Sequence, residues 1–126
     1  MGEFFLLLGK LNGAEALQYN SVLAVARQYM NSHFEEELSV EQLAKKCNVS
    51  TSYLHKLFAE ALGQSPHDYL LTRRISAAKG LLIGTDLPLS EVAIRCGFNS
   101  QAYFSDCFRR KTGQTPGSFR KNASYY

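Results

Sequence analysis

One segment of this chain is written twice. Residues 40–69 read VEQLAKKCNVSTSYLHKLFAEALGQSPHDY, and residues 89–119 read LSEVAIRCGFNSQAYFSDCFRRKTGQTPGSF. Val40, Leu43, Ala44 and Cys47 recur as Leu89, Val92, Ala93 and Cys96, an offset of 49. One residue is added in the intervening turn. Tyr53, Phe58, Gly63, Gln64, Pro66 and Tyr69 then recur as Tyr103, Phe108, Gly113, Gln114, Pro116 and Phe119, an offset of 50. A repeat of this kind constrains the fold strongly, because each copy is one packing unit. Two copies are too few for a solenoid, so the chain reads as two similar small units.

Each copy follows one local pattern. In the first, Ser39 with Gln42 three residues on is a capping box. Val40, Leu43, Ala44 and Cys47 fall at i, i+3, i+4 and i+7, one stripe of a short helix. Asn48 follows, and its counterpart is Gly97. These two residue types enter the left-handed region most readily, so both copies predict a tight helix exit there. Ser50 then caps a second helix with an inner stripe of Leu54, Leu57, Phe58 and Ala61, closed by Gly63. The second copy runs as a helix over 89–96, a turn over 97–99 and a helix over 100–112, closed by Gly113. Its inner stripe is Phe104, Cys107 and Phe108. Helix, tight turn, helix is the helix-turn-helix unit. Ala44 and Ala93 supply the small residue that two short, steeply crossing helices need.

The flanks fit around these units. Ser65-Pro66 and Thr115-Pro116 each read as a helix start, with the hydroxyl as cap and proline in the first turn. The helix from residue 66 to about 83 is apolar along Leu71, Ile75, Ala78 and Leu82 and again along Leu70, Ala77 and Leu81. That pattern predicts burial between neighbours, over about 27 Å. Gly80 inside it costs about 1 kcal/mol relative to alanine and hints at close helix packing. Upstream, residues 17–34 predict a helix with Val22, Val25, Ala26, Tyr29 and Met30 on one face and Asn20 or Ser21 as cap. Glu35, Glu36 and Glu37 read as a solvated connector. Residues 3–11 are unusually apolar. They read as the last helix of an upstream domain rather than a dimerisation segment or a strap. Residues 123–126 read as a frayed end.

The chain is 126 residues long, one domain's worth or two very small subdomains. Its net charge of +3 is unevenly spread. Over residues 1–37, Lys10 and Arg27 face five glutamates, a net of −3, which leaves +6 for residues 38–126. The repeated part is basic, as suits a polyanionic partner. Cys47, Cys96 and Cys107 show no CxxC spacing and sit on apolar stripes, as buried free thiols of a reducing cytoplasm do. The apolar run at residues 4–8 is too short to span a bilayer and lacks the flanks of a secretory signal.

The chemistry resides on the second helix of each unit. The face not needed for the core carries Thr51, Ser52, His55 and Lys56 in the first copy, and Gln101, Ala102, Ser105, Asp106 and Arg109 in the second. The start of a second helix is what enters the major groove in helix-turn-helix proteins. Gln101 suits adenine, Lys56 or Arg109 guanine or phosphate, and Ala102 a thymine methyl. Asp106 suits a cytosine amine, or else pairs with Arg109 or Arg110 along the helix. Phosphates want helix-start N–H groups and nearby cations. The candidates are Ser50, Asn99 and Ser100, with Arg109, Arg110 and Lys111, which equally suit a helix C-terminus. Nothing reads as a catalytic, metal or cofactor site. His33, His55 and His67 lack HExxH spacing, and there is no GxSxG or P-loop. A helical protein-interaction adaptor is the alternative to nucleic-acid binding.

The second copy resembles the signature of the AraC/XylS family of bacterial transcription regulators. The resemblance rests on Ile94, Gly97, Phe98, Ser100, Tyr103, Phe104, Phe108, Gly113, Thr115, Pro116 and Arg120. The first copy matches through Leu43, Ala44, Ser50, Leu54, Phe58, Gly63, Ser65, Pro66 and Tyr69. Arg74-Ile75, Ala78 and Leu81-Leu82 look like the family's connecting helix. The resemblance implies an all-α, seven-helix, homeodomain-like double helix-turn-helix, two subdomains joined by a long helix. It implies a DNA-binding domain over 19–123 with helix-turn-helix motifs at about 40–62 and 89–112. Residues 1–18 would be the remnant of an upstream sensor or dimerisation domain. It further implies no cofactor and no enzyme activity. Two recognition helices would enter successive major grooves of promoter DNA, with RNA polymerase as a further partner, in a bacterial, cytoplasmic, nucleoid-associated protein. Asp106 departs from the family pattern, where many members have Arg or Lys.

Overall fold

The computed structural model describes residues 13–123, which carry seven helices and no strand. These are α1 Gly13–His33, α2 Val40–Lys46, α3 Thr51–Leu62, α4 Pro66–Gly84, α5 Leu89–Arg95, α6 Gln101–Thr112 and α7 Pro116–Ala123. The expectations for residues 3–11 and 124–126 lie outside the described residues. α1 starts at Gly13, so Asn20 and Ser21 lie inside it and do not cap it. The chain divides into two compact units. One holds residues 13–33 with Leu38–Tyr69, the other Phe34–Glu37 with the residues from Leu70 onward.

In the first unit α1 packs on α2 and α3, and α2 on α3. The core is Val22, Leu23, Ala26 and Met30 of α1, Leu43 and Ala44 of α2, and Leu54, Leu57 and Phe58 of α3. The edge of Tyr69 closes on Phe58, with ring centroids 5.7 Å apart. One expected core position fails, since Val25 is 46% exposed. A helix turns about 100° per residue. Val22, Ala26 and Met30 span about 80° of its circumference, and Val25 lies about 100° from the middle of that arc. Leu23 sits on the arc's edge and takes its place.

In the second unit Leu71, Ile75, Ala78 and Leu82 of α4 meet Val92 and Ala93 of α5 and Phe104, Cys107 and Phe108 of α6. Phe104 packs edge-on against Phe108 at 5.8 Å, and Phe108 against Phe119 of α7 at 5.3 Å. Both expected stripes of α4 are at least half-buried, but the helix is not enclosed all round. Thr72, Ser76, Lys79 and Ile83 are exposed. Gly80 is exposed too, and a Cβ there would meet nothing within 4 Å, so close helix packing does not explain it.

The turns that start the recognition-type helices are built alike. Asn48 has φ +61° and Gly97 φ +92°. Val49 N–H donates to the Ala44 carbonyl at 3.0 Å and Phe98 N–H to the Ala93 carbonyl at 2.9 Å. Asn48 N–H donates to Lys45 and Gly97 N–H to Ile94. This crossed pair of bonds satisfies the carbonyls that a helix end leaves open. The two sites differ in space. A Cβ on Gly97 would lie 2.6 Å from the Phe34 carbonyl oxygen and 2.8 Å from Arg74 Nε.

Arg74 explains that crowding. It is only 8% exposed. Its Nε donates to the Phe34 carbonyl at 2.7 Å and its Nη2 to the Glu36 carbonyl at 2.8 Å. Arg73 lies over the Phe34 ring at 4.8 Å. The side chains of residues 35–37 are solvated, as expected, but their backbone is clamped. Burial lowers the Arg74 pKa, and the carbonyl oxygens compensate its charge in place of a carboxylate. Arg120 does similar work on the loop after α4. It donates to the carbonyls of Leu82, Leu87 and Thr85 at 3.1, 2.7 and 3.3 Å.

Candidate nucleic-acid interface

The candidate site is built from helix starts. Ser50 Oγ accepts the Tyr53 N–H and Ser100 Oγ the Tyr103 N–H, each at 3.1 Å. Each cap satisfies one first-turn donor, and the other first-turn N–H groups of α3 and α6 have no partner within their own helix. Neither helix has an acid in its first turn. By contrast α2, α4 and α5 carry Glu41, Asp68 and Glu91 there. Since a helix N-terminus attracts anions, α3 and α6 keep that attraction uncancelled.

The polar face of α3 is Thr51, half-buried, with Ser52, His55 and Lys56 exposed. The face of α6 is Gln101, Ala102 and Asp106, exposed, with Ser105 half-buried. At about 100° per residue each set occupies an arc of about 140°. The buried stripes Leu54–Leu57–Phe58 and Phe104–Cys107–Phe108 lie on the opposite side. Within each unit the structure thus brings the expected base-reading residues together on one outward face. Asn99 and Ser100 are exposed at the mouth of α6, and Ser50 at that of α3.

The basic end of α6 divides. Arg109 lies on the polar arc. Arg110 lies about 40° beyond its Asp106 edge, and Lys111 about 150° from its centre. Arg110 Nε pairs with Asp106 Oδ2 at 3.2 Å, and its Nη2 donates to Cys107 Sγ at 3.3 Å. The pair is more than half exposed on both sides, so it contributes little stability. It does hold Arg110 back along its own helix and partly neutralises the one acid on the reading face. The pairing of Asp106 with a basic residue one turn on was legible in the sequence. Arg109 stands on the face where the sequence puts it, while Arg110 and Lys111, expected beside it as phosphate contacts, point off the arc.

Cys47 and Cys96 are not poised as thiolates. Burial pushes the Cys96 pKa up to about 11 and raises that of Cys47, the opposite of what a reactive thiolate requires.

Residues 43–122 match the family model described as a helix-turn-helix domain. A probable transcriptional regulator of Photobacterium leiognathi, LumQ, is 37% identical over 92 residues, covering 73% of this chain and 37% of that protein. The chain thus spans well under half of that relative's length. A transcriptional regulator of Chromobacterium violaceum with an AraC-type DNA-binding domain superposes with a TM-score of 0.78 at 31% identity, covering 83% of this chain and 94% of that one. The DNA-binding domain of the global transcriptional factor AdpA, solved with a target DNA, superposes with a TM-score of 0.73 at 32% identity, over 82% of this chain and 90% of that one. Repeat, fold and relatives agree: the chain belongs to the AraC/XylS family of helix-turn-helix transcription regulators.

Proposed function

We propose that this domain binds double-stranded DNA sequence-specifically as the reading module of a transcription regulator, with α3 and α6 as its recognition helices. The observation that carries the reading is the duplicated, acid-free helix start under an outward arc of short polar residues. The AdpA domain, which resembles this chain over most of its length, was solved on a target DNA. Thr51, Ser52, His55 and Lys56 read one major-groove segment, and Gln101, Ala102, Ser105 and Asp106 another. By the family's pattern these are successive turns of one duplex face, about 34–36 Å apart. Ser50, Asn99, Ser100 and Arg109 hold phosphates. RNA polymerase, a sensor or dimerisation domain elsewhere in the protein, and a site of action at the bacterial nucleoid follow from the same family pattern.

The test is selection of bound duplexes from a random pool, followed by affinity measurements across a salt series. The selected duplex should bind more tightly than random DNA, and binding should weaken steeply with salt as phosphate counterions are released. Gln101→Ala should cost about 1–3 kcal/mol and relax preference at one base pair. Arg109→Ala should weaken all sequences alike. An affinity that is flat in salt for every duplex would leave a protein-binding adaptor as the better reading.

A further inference from the structure

We propose that Arg74 is a positioning residue for base reading: with the connector Phe34–Glu37 it fixes the start of α6, and so the aim of Gln101 and Ala102. The proposal rests on the reading of α6 as a recognition helix. Arg74 is too buried to meet a base or a phosphate itself. It acts through the turn at Gly97. Residues 34–37 follow α1 in sequence but belong to the second unit. Phe34 is held there twice, with Arg73 over its ring and Arg74 Nε donating to its carbonyl. Arg74 Nη2 donates to the Glu36 carbonyl, so one planar fork spans the connector. The Gly97 backbone presses against this assembly. A Cβ there would stand 2.6 Å from the Phe34 oxygen, 2.8 Å from Arg74 Nε and 3.1 Å from Glu35 Cα. Burial lowers the Arg74 pKa, and Tyr103 in the first turn of α6 opposes that shift. Arg74 therefore stands close to both ends of the short stretch that leads into α6.

That stretch is stiff. Phe98 is buried against the rings of Tyr103 and Phe104, at 5.9 and 5.2 Å, and Ser100 caps the helix. A shift at Gly97 is thus passed to Gln101 rather than absorbed. α6 has 12 residues, so it is about 18 Å long. A tilt of about 10° about its far end moves its first residues by about 3 Å. A hydrogen bond to a base edge tolerates only about 0.5 Å. Arg109, near the pivot, hardly moves, so phosphate binding survives a tilt that base reading does not. The first unit supplies the contrast. At the repeat's offset of 49 the position matching Arg74 is Val25, which is exposed and carries no donor. Asn48 is exposed where Gly97 is half-buried. The two turns share their hydrogen bonds, but only the one before α6 is held by an arginine.

Arg74→Lys tests this, because lysine keeps the charge but cannot fork onto two carbonyls. Base preference is measured position by position on the selected duplex, across a salt series. The pairs read by α6 are those that Gln101→Ala relaxes, and the pairs read by α3 those that Lys56→Ala relaxes. In Arg74→Lys, preference at the α6 pairs should fall about tenfold and that at the α3 pairs should change less than about twofold. The salt slope should stay as it is. Phe34→Ala removes the ring beneath Arg73 and leaves Arg74 in place. It should relax the same α6 pairs by a smaller factor, and it carries the test alone if Arg74→Lys does not fold. Hydrogen exchange without DNA gives a second readout. The amides of Phe98, Tyr103 and Phe104 are compared with their counterparts Val49, Tyr53 and Leu54. Only the first set should exchange faster in the variants. Equal weakening on every duplex with both preferences intact, or equally faster exchange in both sets, would make Arg74 a general stabiliser and overturn the proposal. Faster exchange confined to the first set, in a chain whose unsubstituted form shows no base preference, would refute the DNA reading while supporting the fixed start of α6.

Discussion

Gly97→Ala should be among the most damaging single-methyl changes in this protein, and the reason can be taken apart. The backbone there sits at φ +92°, which costs an L-residue about 1–2 kcal/mol. The new Cβ would also stand 2.6 Å from the Phe34 carbonyl oxygen and 2.8 Å from Arg74 Nε. Neither neighbour is a flexible side-chain tip, because the oxygen is backbone and the guanidinium is anchored to it at 2.7 Å. Moving them apart strains or breaks a hydrogen bond to a buried charge, worth about 1.5–3 kcal/mol. The total is about 2.5–5 kcal/mol, a large part of a typical domain stability of about 5–15 kcal/mol. Gly113→Ala is the matched control. Its φ is +81°, with nothing within 4 Å of the added methyl, so only the conformational cost of about 1–2 kcal/mol applies. Urea unfolding followed by far-UV circular dichroism gives both values. Hydrogen exchange of the α6 amides locates the loss in the second unit. Gly97→Asn makes the comparison sharper, because asparagine already occupies the equivalent turn at Asn48, φ +61°. It should fail at position 97 nonetheless. If Gly97→Ala costs no more than Gly113→Ala, or Gly97→Asn is tolerated, the steric account is wrong.

Other expectations concern separate parts of the molecule. Gly80→Ala should stabilise by about 0.5–1 kcal/mol in the same unfolding assay, since the helix interior there is open and glycine only adds unfolded-state entropy. Cys96 is fully buried with its pKa raised to about 11. The unfolded chain ionises first, so the stability due to the neutral thiol is complete below about pH 8.5 and is lost as pH rises toward 11. The unfolding free energy should therefore fall more steeply over that window in the native chain than in Cys96→Ala, by on the order of 3 kcal/mol at 1.36 kcal/mol per pH unit. Parallel pH profiles would count against it. Asp106→Asn should raise affinity for all duplexes and steepen the salt dependence, because it removes the acid from the reading arc and frees Arg110. Unchanged titration curves would show that Asp106 stands clear of the phosphates.

Much of the candidate site is legible in the residues alone: two helix-turn-helix units, the cap at Ser50, the left-handed exits at Asn48 and Gly97, and the polar arcs on α3 and α6. All of these depend on residues within one or two turns of one another, where helical spacing and backbone preference act directly. The features that the residues alone do not reveal join positions far apart in sequence. Asn48 and Gly97 look interchangeable as turn residues. The fold makes glycine obligatory at 97 alone, because Arg74 and the Phe34 carbonyl close over that turn. The connector after α1 reads as a solvated acidic run, and its side chains are solvated. Its carbonyls are nonetheless gripped by Arg74 from 38 and 40 positions away. Arg109 to Lys111 read as phosphate candidates with Arg109 on the reading face, and the fold turns Arg110 and Lys111 toward a cleft that they line with α4. Local chemistry chooses the elements, whereas which atoms a side chain finally meets depends on the surface another segment presents to it.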